Sequence, residues 1–145
     1  LSDAEAEDTA QQVFLVAARR IDDIEIGKER SFLLSTTYRA ASNARRSRRR
    51  RREDGLDEAR EVRAAEPGPE DALARSRARE IAEQILGTLT DELRDVFVLF
   101  ELEEMTMADI ADLLQIPAGT VASRLRRARE AFHLEAARYR REVQS

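Results

Sequence analysis

In the stretch TMADIADLLQIPAGTVASRLRRARE, Thr106 to Glu130, apolar residues recur at helical spacing on both sides of one short interruption. Ile110, Ala111 and Leu114 form one stripe. Val121, Leu125, Ala128 and Phe132 form a second, at steps of four, three and four residues. Gln115-Ile116-Pro117 reads as the turn between them, because proline lacks the N–H that a helix interior needs but suits the first turn of a new helix. Two short helices that each carry one apolar stripe are stable only when packed together. The outward face of the second helix then presents Ala122, Ser123, Arg126 and Arg127, flanked by Thr120 and Arg124. Four arginines in six residues point to a polyanion. Such a helix meets the requirement for DNA major-groove binding: one side packs, while the other offers donors to phosphates and base edges. An arginine-rich solvated helix is the alternative; the single sign of charge and the compact two-helix setting favour DNA.

The rest of the chain reads as helix too, with no β alternation and no internal repeat. AEDTAQQVFLVAARRI places Ala10, Val13, Phe14, Ala17 and Ile21 at three- and four-residue spacing, with acids first and arginines last, as the helix dipole favours. SFLLSTTYRAASNARRSRRRRR resumes as helix after Gly27, with a break or bend expected at Ser35-Thr36-Thr37, where β-branched and hydroxyl side chains lower helix propensity. Pro67-Gly68-Pro69 cannot lie in a helix and marks a linker, which we place at 53–71; a short helix within Leu56–Ala65 fits its pattern. Beyond it, Leu73, Ala74, Ile81, Ile85 and Leu86 form a stripe that Gly87 should end. Thr90 and Thr106 are expected to cap the next two helices, the first bearing Leu93, Val96, Phe97 and Phe100. Asp109 is a capping-box-like partner for Thr106. The expected fold is all-α: two small helical domains joined by a linker, the C-terminal one a helix-turn-helix.

Charge sharpens this division. Residues 1–52 carry 12 basic and 8 acidic side chains, residues 53–119 carry 6 and 18, and residues 120–145 carry 7 and 3. The net charge of −4 therefore hides two basic ends around an acidic middle, and it does not argue against a nucleic-acid partner. The linker 53–71 alone holds 8 acids against 2 bases. Seven arginines fall between Arg45 and Arg52, a phosphate track or a basic arm. With no cysteine there is neither a disulfide frame nor a thiolate zinc site, and a reducing, cytoplasmic setting fits. The longest apolar runs are too short to span a bilayer. The single histidine, His133, and the lack of a glycine-rich phosphate loop speak against an enzyme; no cofactor and no metal is expected.

LTDELRDVFVLFELEEMTMADIADLLQIPAGTVASRLRRARE resembles the C-terminal domain of bacterial sigma factors of the extracytoplasmic-function (ECF) group. Upstream, AEDTAQQVFLVAARR is similar to the helix by which the second sigma domain grips core RNA polymerase, and GKERSFLLSTTYRAASNARRSRRRR to the region that opens and reads the −10 element. The resemblance spans roughly Ala6–Arg52 and Leu86–Phe132, in family order. It implies a region 2-like domain at 1–52, the acidic linker at 53–71 and a region 4-like domain at 72–145. Core polymerase (clamp and flap), promoter DNA and an anti-sigma protein are the implied partners.

By position, the resemblance places Ser123, Arg126 and Arg127 against the −35 element, with Thr120 and Arg124 near its phosphates. Ala122 stands where many relatives carry a basic or polar residue, so direct readout there is reduced. Gln115 stands where relatives often have glycine; if the turn needs positive φ, the strain is on the order of 1 kcal/mol. Glu7, Asp8, Gln11, Gln12 and Phe14 match the polymerase-binding helix, with core packing the alternative for Phe14. Tyr38, Arg39 and Asn43 match the −10 reading loop, where an unpaired base needs a π surface or a donor pocket; Arg45 and Arg46 continue that surface. Relatives commonly have Asn at the position of Arg39, which alters the expected base preference, and Phe32 is expected to pack inside. The linker is implied to thread the channel later used by RNA, with a solubilising spacer as the alternative. The family's second domain opens with a further helix ahead of AEDTAQQVF, so that helix is expected to be missing from this stretch.

Two other readings stay open at this stage. A helix-turn-helix regulator, such as a response-regulator output domain, would bind duplex DNA without polymerase and need no −10-like region. A pure interaction module would use exposed apolar surface after Leu93–Phe100 to hold a protein partner.

Overall fold

In the computed structural model, residues 2–55 and 70–145 are described, with side chains from 72 in the second stretch. The chain divides into two compact units, Leu1–Ala65 and Glu66–Ser145. All regular structure among the described residues is helical. The expected linker core, with Pro67-Gly68-Pro69 and the short helix within Leu56–Ala65, lies outside the described residues; the two ends of the span 53–71 belong to helices.

The first unit pairs α1 (Asp3–Arg19) with α2 (Glu29–Glu53). A capping box starts α1: the Ser2 hydroxyl accepts from the Glu5 amide at 3.2 Å, and the Ser2 amide donates to the Glu5 carboxylate at 2.8 Å. Two otherwise unpaired donors are thereby satisfied. A single 3₁₀ turn, Ile21–Asp23, and Gly27 at φ 89° lead into α2. No break occurs at Ser35-Thr36-Thr37. Thr36 and Thr37 instead donate to the carbonyls of Phe32 and Leu33 at 2.8 and 2.7 Å, so the hydroxyls are absorbed by the preceding turn and α2 runs unbroken for 25 residues.

Burial in this unit is sparse. Val13 and Thr9 are its buried side chains among the described residues, Thr9 donating to the Glu5 carbonyl at 2.7 Å. Of the expected α1 stripe, Val13 points in and Ala17 is half-buried, while Ala10, Phe14 and Ile21 are exposed. Phe32 is half-buried beneath the Arg20 guanidinium, 5.8 Å from its ring centre.

The second unit is better packed. Its helices are α3 (Glu70–Thr88), α4 (Asp91–Phe97), α5 (Met107–Leu114) and α6 (Ala118–Gln144), with a π-helical turn, Val98–Leu102, continuing α4. Helix α3 passes through Gly87 and ends at Thr88; Leu89 turns inward, and Thr90 takes an extended N-cap backbone without a side-chain capping bond. Leu73 and Ala74 are exposed, while Ile85 enters the core. That core joins Ile85, Leu89, Val96, Leu99, Met105, Ile110, Val121, Leu125 and Ala128. Leu89, Leu99 and Met105 extend the stripes expected from periodicity. Each sits at a helix end or in the π turn, where a 3.6-residue repeat no longer predicts facing.

Candidate nucleic-acid interface

The turn between α5 and α6 is built by backbone geometry. Thr106 caps α5, accepting from the Asp109 amide at 3.1 Å. At the other end Gln115 adopts the left-handed conformation, φ 55° and ψ 47°, and the Ile116 amide donates back to the Ala111 carbonyl at 3.1 Å. This is the Schellman closure, here made by a residue with a Cβ. The Gln115 side chain adds a bond to the Asp112 carbonyl at 2.6 Å. Pro117 occupies the N-cap position itself, one residue earlier than its expected place, and its carbonyl accepts from Thr120 and Val121.

From that start α6 divides as its pattern requires. Val121, Leu125 and Ala128 are buried; Ala122, Ser123, Arg126 and Arg127 are exposed; Thr120 and Arg124 lie between. Among the described residues no carboxylate pairs with Arg126 or Arg127. Arg124, expected beside phosphates, is 20% exposed and lies 3.5 Å from the Glu92 carboxylate. Phe97 stacks on Phe132 behind the motif. The outward side of α6 is thus a short polar strip, bearing a hydroxyl and two exposed guanidiniums on a helix locked from behind.

In the first unit the expected site residues fall on several faces. Glu7, Gln11 and Phe14 form one exposed stripe on α1, with Phe14 67% exposed, so its alternative as a core residue does not hold. Asp8 and Gln12 lie a quarter-turn round the helix. They line an open groove of about 550 Å³ between α1 and α2, together with Arg39, Asn43 and Arg48. Tyr38 is half-buried and not among the residues lining that groove; Arg45 is half-buried and Arg46 exposed. The arginine run lies within α2, so its side chains point to different sides of the helix. Arg48 turns inward, 13% exposed, and donates to Glu5 at 3.4 Å, while Arg46 and Arg50 face solvent.

Residues 79–132 match the family described as Sigma-70, region 4. Over 140 aligned residues the chain is 33% identical to the ECF RNA polymerase sigma factor SigW of Bacillus subtilis, covering 88% of this chain and 73% of that protein. The chain belongs to the ECF sigma factor family. The RNA polymerase sigma-H factor of Pseudomonas aeruginosa is 32% identical over 140 residues, 88% of this chain and 71% of that protein. A co-crystal structure of the sigma factor RpoE with the anti-sigma factor NepR from Bartonella quintana superposes with a TM-score of 0.77. It covers 94% of this chain and 83% of that one at 22% identity, a likeness of fold. As a sigma factor, the protein binds core RNA polymerase and directs promoter-specific transcription initiation. The reading as a polymerase-independent regulator is not favoured.

Two structural features of this sigma factor lie outside the expectations drawn from its sequence. Glu92 and Glu101 reach α6 from 32 and 28 residues upstream, and no local pattern announces such pairs. The Ser2–Glu5 capping box does have a local signal, serine followed three residues later by glutamate. No helix among the described residues is long and apolar enough to cross a membrane.

Proposed function

We propose that this sigma factor reads the −35 element with the exposed side of α6, through Ser123, Arg126 and Arg127 with Thr120 on the flank. The observation that carries this reading is the split of α6 into a buried stripe and an outward strip whose two central arginines lack an acidic partner among the described residues. A guanidinium without a counter-anion is the group that gains most by releasing counterions from DNA. Base discrimination falls to the first turns of the helix, around Ser123.

In the same proposal residues 1–52 dock on the polymerase clamp through Glu7, Gln11 and Phe14, with Asp8 and Gln12 beside them. Tyr38, Arg39 and Asn43 serve the −10 element, and Arg45 and Arg46 extend the surface along phosphates. The exposed polar and apolar mixture on α1 suits a protein partner, and the basic, helical end of α2 suits DNA. Residues 72–145 add the flap contact, and an anti-sigma protein, the kind of partner named in the structural neighbour's complex, is a further partner of the chain. The factor works as a cytoplasmic binding subunit, with no chemistry and no cofactor of its own.

Transcription with purified core polymerase on fragmented genomic DNA tests the proposal. Discrete start sites that depend on the added chain, and that weaken at least tenfold with the Arg126→Ala/Arg127→Ala double variant, are the expected result. Unchanged start-site strength in that variant would remove α6 from promoter recognition.

A further inference from the structure

The four arginines of α6 do not share one environment. Arg126 and Arg127 project into solvent. Arg124 is largely covered and meets the Glu92 carboxylate of α4 at 3.5 Å. Arg129 donates from Nε to the Glu101 carboxylate, and its guanidinium lies over the Phe100 ring, 5.4 Å from the centre. Phe100 and Glu101 both belong to the π-helical turn Val98–Leu102. A π turn holds one residue more than an α turn, which shifts the facing of its side chains by about 100° relative to a continuous helix. Here that turn brings a carboxylate and an aromatic face to the same guanidinium.

The positions of the two tethered arginines add a geometric argument. Arg124 and Arg129 are five residues apart, about 140° around the helix axis at 3.6 residues per turn. Val121, Leu125 and Ala128 already hold the inner side of α6 against the core; two tethers on different sides of the helix set the remaining freedom of roll about its axis. The aim of Ser123, Arg126 and Arg127 depends on the same rotation. Charge argues in the same direction. A guanidinium already bonded to a carboxylate gains little by moving to a phosphate, because it exchanges one anion for another and leaves the carboxylate facing a polyanion.

We propose that Arg124 and Arg129 are positioning residues, anchored by Glu92 and Glu101 to set the roll of α6, and that phosphate neutralisation by this helix falls on Arg126 and Arg127. This rests on the reading of α6 as the −35 helix.

The test uses the full chain assembled with core polymerase, and as probe the promoter duplexes recovered in the transcription experiment above. Affinity is measured against salt for wild type and for Arg124→Gln, Arg126→Gln, Arg127→Gln and Arg129→Gln. Arg126→Gln and Arg127→Gln should each flatten the slope of log affinity on log salt by about 0.9. Arg124→Gln and Arg129→Gln should leave the slope unchanged while reducing discrimination between the −35 element and a scrambled duplex at least fivefold. Flattening by Arg129→Gln or Arg124→Gln equal to that of Arg126→Gln would overturn the proposal while leaving −35 recognition standing. No slope change in any of the four would overturn both. A reciprocal exchange adds a readout that lost packing alone would not move. Glu101→Arg combined with Arg129→Glu should recover most of the discrimination lost in Arg129→Glu, and no recovery counts against the tether.

Discussion

The rings of Phe97 and Phe132 stack with centroids 4.9 Å apart and planes 16° from parallel, fastening the end of α4 to the middle of α6. Both are half-buried, so the stack closes the core of the second unit at its rim. Phe132 also lies edge-on to His133, 6.4 Å away. The histidine itself is exposed.

Phe132→Ala should therefore cost about 2–3 kcal/mol, below the full range for a buried phenylalanine because part of the ring is already wet. Thermal unfolding of the full chain should show the second unit melting roughly 10–20 °C lower. Phe132→Leu, which keeps most of the apolar volume, should lose less than half of that. An unchanged melting profile in Phe132→Ala would show that the stack contributes nothing to holding α6.

Gln115 closes the turn at φ 55°, where glycine carries no Cβ penalty. Gln115→Gly should raise the stability of the second unit by roughly 0.5–1 kcal/mol, the relieved strain being partly offset by the lost Asp112 bond and by added freedom in the unfolded chain. Chemical denaturation should show a higher midpoint with the same slope. A lower midpoint would mean that the side-chain bond to Asp112 outweighs the backbone strain.

The Ser2 amide bonded to the Glu5 carboxylate, helped by the Ser2 side chain and by Arg48, holds that carboxyl below the usual glutamate range. A depressed folded value means that the stabilisation is complete above the ordinary glutamate pKa and is lost as pH falls through the depressed value. The first turn of α1 should fray in acid accordingly. NMR amide shifts of Ser2 and Glu5, followed from neutral into acid, should move together with that midpoint. In Glu5→Gln the Ser2 amide shift should be flat over the same range. A midpoint at or above the ordinary glutamate value would contradict the depressed pKa.

Ala122 is exposed on α6 beside Ser123. Ala122→Arg should place one more guanidinium against DNA, steepening the salt dependence of promoter affinity by about 0.9 and raising affinity for scrambled duplex as well. The measurement is the salt titration with core polymerase. Tighter binding confined to the −35 sequence would show that position 122 reads bases and does not merely meet phosphates.

Much of the fold was legible because helices advertise themselves locally. The Val121-Leu125-Ala128 stripe, the proline at the turn and the Thr106 cap each depend on residues within a few positions; the stripe and the cap sit where the pattern puts them, and the proline one residue earlier. The split of α6 into inner and outer faces follows from the same 3.6-residue period. Reading failed where side chains had a choice of partner. Thr36 and Thr37 lower helix propensity in isolation, but in place they bond to the preceding turn and α2 continues unbroken through them. Phe14 shares the spacing of Val13, yet α2 covers only one side of α1 and leaves the ring in solvent.

The helices, their polarity and the family follow from short-range spacing and from residue identity along the chain. Which arginines are engaged and which are available is set by packing in three dimensions. Periodicity puts Arg124 on the flank of the outward face but announces no carboxylate for it or for Arg129, whose partners lie about thirty residues away. Ion pairing depends on distance in space, and it is the packing of α4 and its π turn against α6 that brings those charges together.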